Sequence, residues 1–285
     1  MLRTFGPLIF STARFSCLCL AVGLLSCVQT LPQKQQASEA DSWVLWAWEH
    51  PEDFSFLGDP VQHSSAGNPQ VSIAPLLGTI RWTEQGLEIL PRRQPLTAPD
   101  DAHLTAVVRL EMDRGLDPDG HPVLEQRVVE SILRWVEREI STAERLGAMP
   151  WTALQIDFDA RYSERALYRR LLEKLDRDLD RRLRLGITAL ASWCLDDPWI
   201  RDLPVDEAVP MLFRMGSQTS QLRSRLNHGR DFSLELCRQS YGFSTDEPWI
   251  PVIPGRRIFV FHPDPWDADA FEATQARLSA STDNI

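Results

Sequence analysis

Two carboxylates set two residues apart, Asp157 and Asp159, carry the strongest chemical signal in the sequence. They close the segment 153–159 (ALQIDFD), whose alternation predicts a β-strand with Gln155, Asp157 and Asp159 on one face and Ile156 and Phe158 on the other. On a strand their Cα atoms stand ~6–7 Å apart. Carboxyls that close repel, so at least one is expected above its ordinary pKa unless a cation or a hydrogen-bond donor intervenes. Such a pair divides acid and base roles, orients a substrate or holds a metal. It serves plain structure equally well if Asp157 bonds across a core and Asp159 caps the next helix.

Other residues gather around this pair in sequence logic. The segment 104–111 (LTAVVRLE) places Arg109 and Glu111 on one strand face, where Arg109 pairs with Glu111 or Asp157, as part of a site or of a structural network. Glu111, Glu164 and Glu235 are the candidates for a further carboxylate, and Arg161 and Arg214 for substrate-binding cations. Trp48, which shares a face with Trp46, and Trp193 are candidate platforms for sugar rings, since indole offers an apolar face and an N–H donor. Core packing is their ordinary alternative. His262, which closes the segment 257–262 before Pro263, is a candidate acid, base or ligand, with a structural role as the default.

The elements that must position these residues are read from hydrophobic periodicity. Strands are predicted at 43–48, 76–82, 104–111, 153–159, 185–193, 209–215, 232–237 and 257–262. Helices are predicted at 125–146, from Ser163 through a stripe of Leu167, Leu171, Leu172, Leu175 and Leu179, and at 267–278, with one helical turn near Trp199. Between Trp82 and His103 a hairpin arm (86–90) among three prolines takes the place of a helix. Eight strands in about 240 residues match an irregular (β/α)8 barrel, an α/β TIM-type fold in a single domain, 43–285. Its strand ends would present the candidate residues. A doubly wound sheet would carry a Gly-rich turn after the first strand, and residues 46–51 (WAWEHP) have none.

Composition bounds the function. The chain has 285 residues and a net charge of -10, so its Lys and Arg are outnumbered, against a nucleic-acid partner. No nucleophile elbow, phosphate loop, paired-His zinc motif or paired-Cys motif follows the first 26 residues, and the sequence calls for no cofactor and no bound metal. Residues 1–26 hold Arg3, Arg14, no acid and a short apolar run, the pattern of a secretory signal rather than a membrane span. It ends in Leu24, Leu25, Ser26 and Cys27, which resembles the bacterial lipobox, so Cys27 is expected to be lipidated (palmitate class). Cleavage there leaves 259 residues at -12, with 27–42 as a polar tether. Val28 resembles the outer-membrane sorting pattern, which places the domain in the cell envelope facing the periplasm. An oxidising periplasm permits a bond between Cys194 and Cys237, although two separate buried thiols are the default.

The blocks WVLWAWEHPEDFSFL, LTAVVRLE, LQIDFDARYSERALYRRLL, ITALASWCLDDPWI and DEAVPMLFRMG resemble the bacterial domain-of-unknown-function family 3142, across about residues 43–262. That resemblance implies a barrel related to glycoside hydrolases and no established reaction. A more distant likeness is to glycoside hydrolase family 18, whose fourth strand ends in Asp-x-x-Asp-x-Asp-x-Glu. Asp157 and Asp159 match the second and third acids, while Leu154 and Arg161 fall on the first acid and the proton-donating Glu. Met211 matches that family's sixth-strand Met, with Phe213 and Arg214 at the places of its Tyr and Asp. The expectation is an envelope lipoprotein acting on or binding a polysaccharide, either as a glycoside hydrolase or as a non-catalytic saccharide-binding or envelope-assembly protein.

Overall fold

In the computed structural model, which describes residues 43–58, 71–119, 121–147, 150–216 and 219–282, the alternating segments pair edge to edge until the sheet meets itself. The chain runs β1 (Trp43–Ala47), β2 (Glu52–Asp53), β3 (Val71–Thr83), β4 (Gly86–Pro91), β5 (Leu96–Thr97) and β6 (His103–Met112). It continues through α1 (Pro122–Arg145), β7 (Trp151–Asp157), α2 (Arg165–Asp178), β8 (Arg184–Leu190), α3 (Ala191–Leu195) and β9 (Glu207–Met211). It ends with α4 (Thr219–Asn227), β10 (Ser240–Ser244), β11 (Arg257–Phe261) and α5 (Ala268–Thr282). Strands β1, β3, β6, β7, β8, β9, β10 and β11 lie parallel in that order, and β1 pairs with both β3 and β11, closing an eight-stranded barrel. Closure removes the sheet edges that would otherwise invite aggregation.

Period-two alternation sorts side chains to the two sides of this wall. Val44, Trp46, Ala74, Leu76, Val107, Val209 and Phe259 fill the interior. Leu45, Val108, Leu154, Ile156, Ile187 and Val260 belong to the outer core, under Val128, Val129, Ile132 and Val136 of α1 and Leu167, Leu171, Leu172 and Leu175 of α2. Glu125, buried on α1, ties the two helices through Arg170 (3.0 Å) and Lys174 (2.6 Å).

Helices are unevenly distributed around the wall. The connection from β3 to β6 carries the hairpin arm β4, antiparallel to β3, as the prolines suggest. Gly78 is required where the arm returns, because a Cβ there would lie 2.5 Å from the Leu90 carbonyl oxygen. Between β8 and β9 the only helix is the five-residue α3.

Several expectations are corrected, and the strands expected over 153–159 and 209–215 end early, at Asp157 and Met211. The seventh barrel strand is 240–244, not 232–237, where Glu235–Cys237 form a 3-10 turn. The strand expected over 185–193 stops at Leu190, and α3 takes over. Cys194 and Cys237 are bonded, with Cα atoms 5.9 Å apart, rather than separate thiols. The expected signal, the tether and Cys27 lie outside the described residues. Among the described residues no helix is long and apolar enough to cross a membrane.

Candidate functional site

Parallel strands point all their carboxyl ends the same way, so the last inward side chains converge at one mouth. A cavity of about 550 Å³ opens there. One wall is aromatic: Trp46 and Trp48 at the end of β1, Phe213 after β9, and Phe261 at the end of β11. Phe213 and Phe261 stack with centroids 5.9 Å apart, and Trp46 packs beside Phe213 at 6.2 Å. Trp46 is fixed from within, its indole N–H donating to Gln155 Oε1 (2.8 Å) across the barrel.

The opposite side is charged. Asp157 ends β7, and Asp159 lies just beyond the strand, both lining the cavity with Thr188, Arg109 and Arg214. Thr188 Oγ1 donates to Asp157 Oδ1 at 2.7 Å. Arg109 Nε stands 4.0 Å from Asp157 Oδ2 and 3.1 Å from Glu111 Oε1, whose second oxygen takes Arg81 at 2.9 Å. Arg109 also lies over the Trp48 ring, 5.9 Å from its centroid. The guanidinium is thus divided between two acids.

Burial more than that division sets the proton affinity of the pair. Only 15 % of the Asp157 side chain is exposed, at the base of the cavity, and burial pushes its carboxyl up to about 6. The charges of Asp159 and Glu111 add to the rise, while the Thr188 hydroxyl and Arg109 oppose it. Asp159 presents surface to solvent yet is ringed by enough protein that desolvation raises it too, against the pull of Arg109. A carboxyl that titrates near neutrality beside a second carboxyl is an arrangement for proton transfer.

The remaining candidates divide. Trp48 and Arg214 line the cavity; Arg214 holds its guanidinium 5.0 Å over the Phe261 ring from a left-handed backbone (φ 51°). Glu111 lies beside it, in a cleft of about 180 Å³ with Arg81 and Arg92 along the hairpin arm. Arg161 does not reach the cavity lining: its Nε donates to Glu164 Oε1 (2.7 Å), and its Nη2 reaches the carbonyls of Met112 and Asp113. The same bonds occupy Glu164, which is 2 % exposed. Glu235 lies in the turn shortly before β10 and so away from the carboxyl ends. Trp193 is buried behind the wall against Trp199, rings 5.1 Å apart and edge to face, so it is a core residue here rather than a platform. His262 is held by Thr245 (2.6 Å) and packs on Trp266; burial lowers its pKa, against Asp264, Asp267 and Asp246, and it is not part of the cavity lining.

Trp46, Thr188, Phe213 and Phe261 belong to the site without having been singled out as site residues. Their signal was position, each an inward residue near or just beyond a strand's carboxyl end, with Phe213 also falling at the Tyr of the sixth-strand likeness. Arg92, also unforeseen, donates to the backbone carbonyls of Ala47 (3.0 Å), Trp48 and His50, which anchors the chain carrying Trp48. Among the described residues no group of three or more His, Cys, Asp and Glu is placed to hold a metal ion. Comparison with protein-family models, with curated proteins and with solved structures finds no match to this chain.

Proposed function

We propose that this chain is an envelope lipoprotein whose barrel is a glycoside-hydrolase-like (β/α)8 fold acting on a polysaccharide at its mouth. One observation carries the reading: Asp157, raised to about 6, and Asp159 face an aromatic wall across one cavity. Aromatic faces take the apolar faces of sugar rings, and a buried carboxyl that still holds its proton near pH 6 supplies the acid that a glycosidic oxygen needs on leaving. Asp159 then serves as the second carboxylate, at the open side where water enters. Arg109 keeps one negative charge tolerable in the pair, and Trp48 and Arg214 hold the sugar. Helices α1 and α2 after β6 and β7, and α5 after β11, support the (β/α)8 reading, with hairpin and loop in place of helices elsewhere. The resemblance to domain-of-unknown-function family 3142 belongs to the same proposal, as do lipidation at Cys27 and the outer-membrane, periplasm-facing location.

A second reading, a non-catalytic saccharide-binding or envelope-assembly protein, is favoured by one observation: among the described residues no Glu lines the cavity, and Arg161 is held by Glu164 where a proton donor would be expected. Incubating the purified protein with chitin, peptidoglycan and exopolysaccharide fragments, following reducing ends and binding together, separates the two. Cleavage that disappears in Asp157→Asn and Asp159→Asn supports catalysis, and cleavage retained in both rejects the site. Binding without cleavage in the wild type selects the second reading. Incorporation of a labelled fatty acid that is lost in Cys27→Ala tests the anchor.

A further inference from the structure

Tyr162 is 84 % exposed, the only aromatic among the large apolar side chains left open to solvent in the described residues. It begins the 3-10 turn Tyr162–Glu164, three residues after Asp159, and three residues of chain reach at most ~11 Å. The Tyr162 backbone therefore lies within that distance of Asp159, on the carboxyl-end face of the barrel and outside the cavity lining.

The ring is also held in place. The guanidinium of Arg165 lies over the Tyr162 ring at 5.1 Å and over the Trp199 ring at 5.1 Å. Arg165 in turn grips both carboxylate oxygens of Asp197, through Nη1 at 3.2 Å and through Nη2. Asp197 follows α3, whose Ala191 and neighbouring Ser192 line the cavity. One face of the phenol ring is thus fixed on a stack built from the two loops that flank the acid pair, and the rest is open. An exposed aromatic ring packed against a charge gains apolar burial only when something docks on it.

We propose that Tyr162 is an outer sugar platform, the element by which this site favours a chain over a short fragment. The inference rests on the saccharide reading given above. The cavity of about 550 Å³ takes the first sugars of a chain between the aromatic wall and the acids, and a longer chain extends beyond it to stack on Tyr162. Arg165 and Asp197 act as positioning residues for that ring.

The test uses the purified full-length protein and two ladders, chitin oligosaccharides from monomer to hexamer and glycan strands released from peptidoglycan, with binding followed by calorimetry. Tyr162→Ala is expected to weaken the longest members roughly 3- to 10-fold, the worth of one aromatic contact, and to leave monomer and dimer unchanged. Tyr162→Phe keeps the ring and is expected to bind like wild type, and the melting temperature stays put in both because the side chain is exposed. A Tyr162→Ala protein that binds every length as wild type does overturns the platform while the proposed function stands. Equal weakening at every length overturns it as well, by placing Tyr162 inside the primary cavity. A wild type that binds neither ladder overturns the saccharide reading and the platform together.

Discussion

The two ends of the barrel interior hold the same classes of residue in opposite states. At the amino end, Glu207 and Arg257 open β9 and β11 and pair at 2.8 Å, with side chains 9 % and 8 % exposed. Both lie on the inward parity of strands whose next inward residues, Val209 and Phe259, are in the interior core. At the carboxyl end, Asp157 and Asp159 share Arg109, and Arg109 is already engaged with Glu111. Charge is closely paired at the floor, whereas at the mouth Arg109 stands 4.0 Å from Asp157 and lies closer to Glu111. The floor pair holds the fold together, while the mouth retains one acid, Asp157, raised to about 6, beside a second whose proton affinity burial also raises.

The largest effect that sharpens this contrast is on activity. Asp157→Asn is expected to lower the proposed saccharide cleavage by ~10²- to 10⁴-fold, the usual contribution of a positioned general acid. The same change is expected to stabilise the protein at about pH 8. Burial raises the Asp157 carboxyl from its usual 3.8 to about 6, so the folded state holds that proton more tightly than the unfolded chain. Stability from this group is complete below the unfolded value and declines as pH rises through about 6, a loss of roughly 3 kcal/mol. Urea unfolding of wild type and Asp157→Asn should differ by up to that amount at about pH 8 and converge below about pH 4. A variant less stable than wild type at the higher pH breaks the comparison, because Asp157 would then be a structural acid like Glu207.

The floor is expected to respond in the opposite sense. Arg257→Ala leaves the buried Glu207 carboxylate without its counter-charge and should destabilise by ~3–5 kcal/mol, read as a shift of the urea midpoint. Replacing both partners, Glu207→Leu with Arg257→Met, should restore most of that loss. Sugar affinity per folded molecule should be unchanged in either case. Next in size is the Cys194–Cys237 bond, which closes a loop of sequence separation 43 and fixes α3, whose Ala191 lines the cavity. Reduction, or Cys237→Ser, should remove ~2–4 kcal/mol from stability. An unchanged melting temperature under reducing conditions contradicts that expectation.

The contrast also explains what was legible in the amino-acid sequence. Seven of the barrel strands announce themselves as alternating or apolar runs, because Val, Ile, Leu and Trp occupy one or both faces. The strand at 240–244 (SYGFS) alternates too, but only Tyr241 and Phe243 carry the pattern, since its inward residues are the small Ser240, Gly242 and Ser244. Gly242 is small for a reason: a Cβ there would lie 3.0 Å from Trp46 Cη2 and 3.1 Å from the Pro210 carbonyl oxygen. The decoy at 232–237 reads as a strand because Phe232, Leu234 and Cys237 are buried, although in a loop and a 3-10 turn. Asp157, Asp159, Arg109 and Trp48 were legible at the site because polar or aromatic residues at strand ends are conspicuous. Trp193 and Arg161 follow the same local pattern and end elsewhere, one behind the wall and the other on Glu164, because partners distant or downstream in the chain decide their direction. Thr188 and Phe261 were hidden among residues that any strand favours.

Thr188 carries the smallest and most specific expectation. Its hydroxyl donates to Asp157 Oδ1 at 2.7 Å, whereas the Arg109 Nε stands 4.0 Å from the other oxygen, so Thr188 is the nearest group that favours the ionised acid. Thr188→Val keeps the shape of the side chain on β8 and removes only that donor. The ionised carboxylate then loses a hydrogen bond with a net worth of about 0.5–1.5 kcal/mol, and the carboxyl should hold its proton to a pH roughly 0.4–1 higher. If Asp157 is the acid, the protonated form is the active one, and kcat/KM falls as pH rises through its pKa. The falling limb should therefore start near pH 6 in the wild type and move upward by that amount in Thr188→Val. A limb that stays in place, or moves down, assigns the proton to another group. Because the floor pair lies at the opposite end of the barrel from Asp157, a change at Arg257 should move midpoints of unfolding and leave the limb where it is, which keeps the two ends of the barrel experimentally distinct.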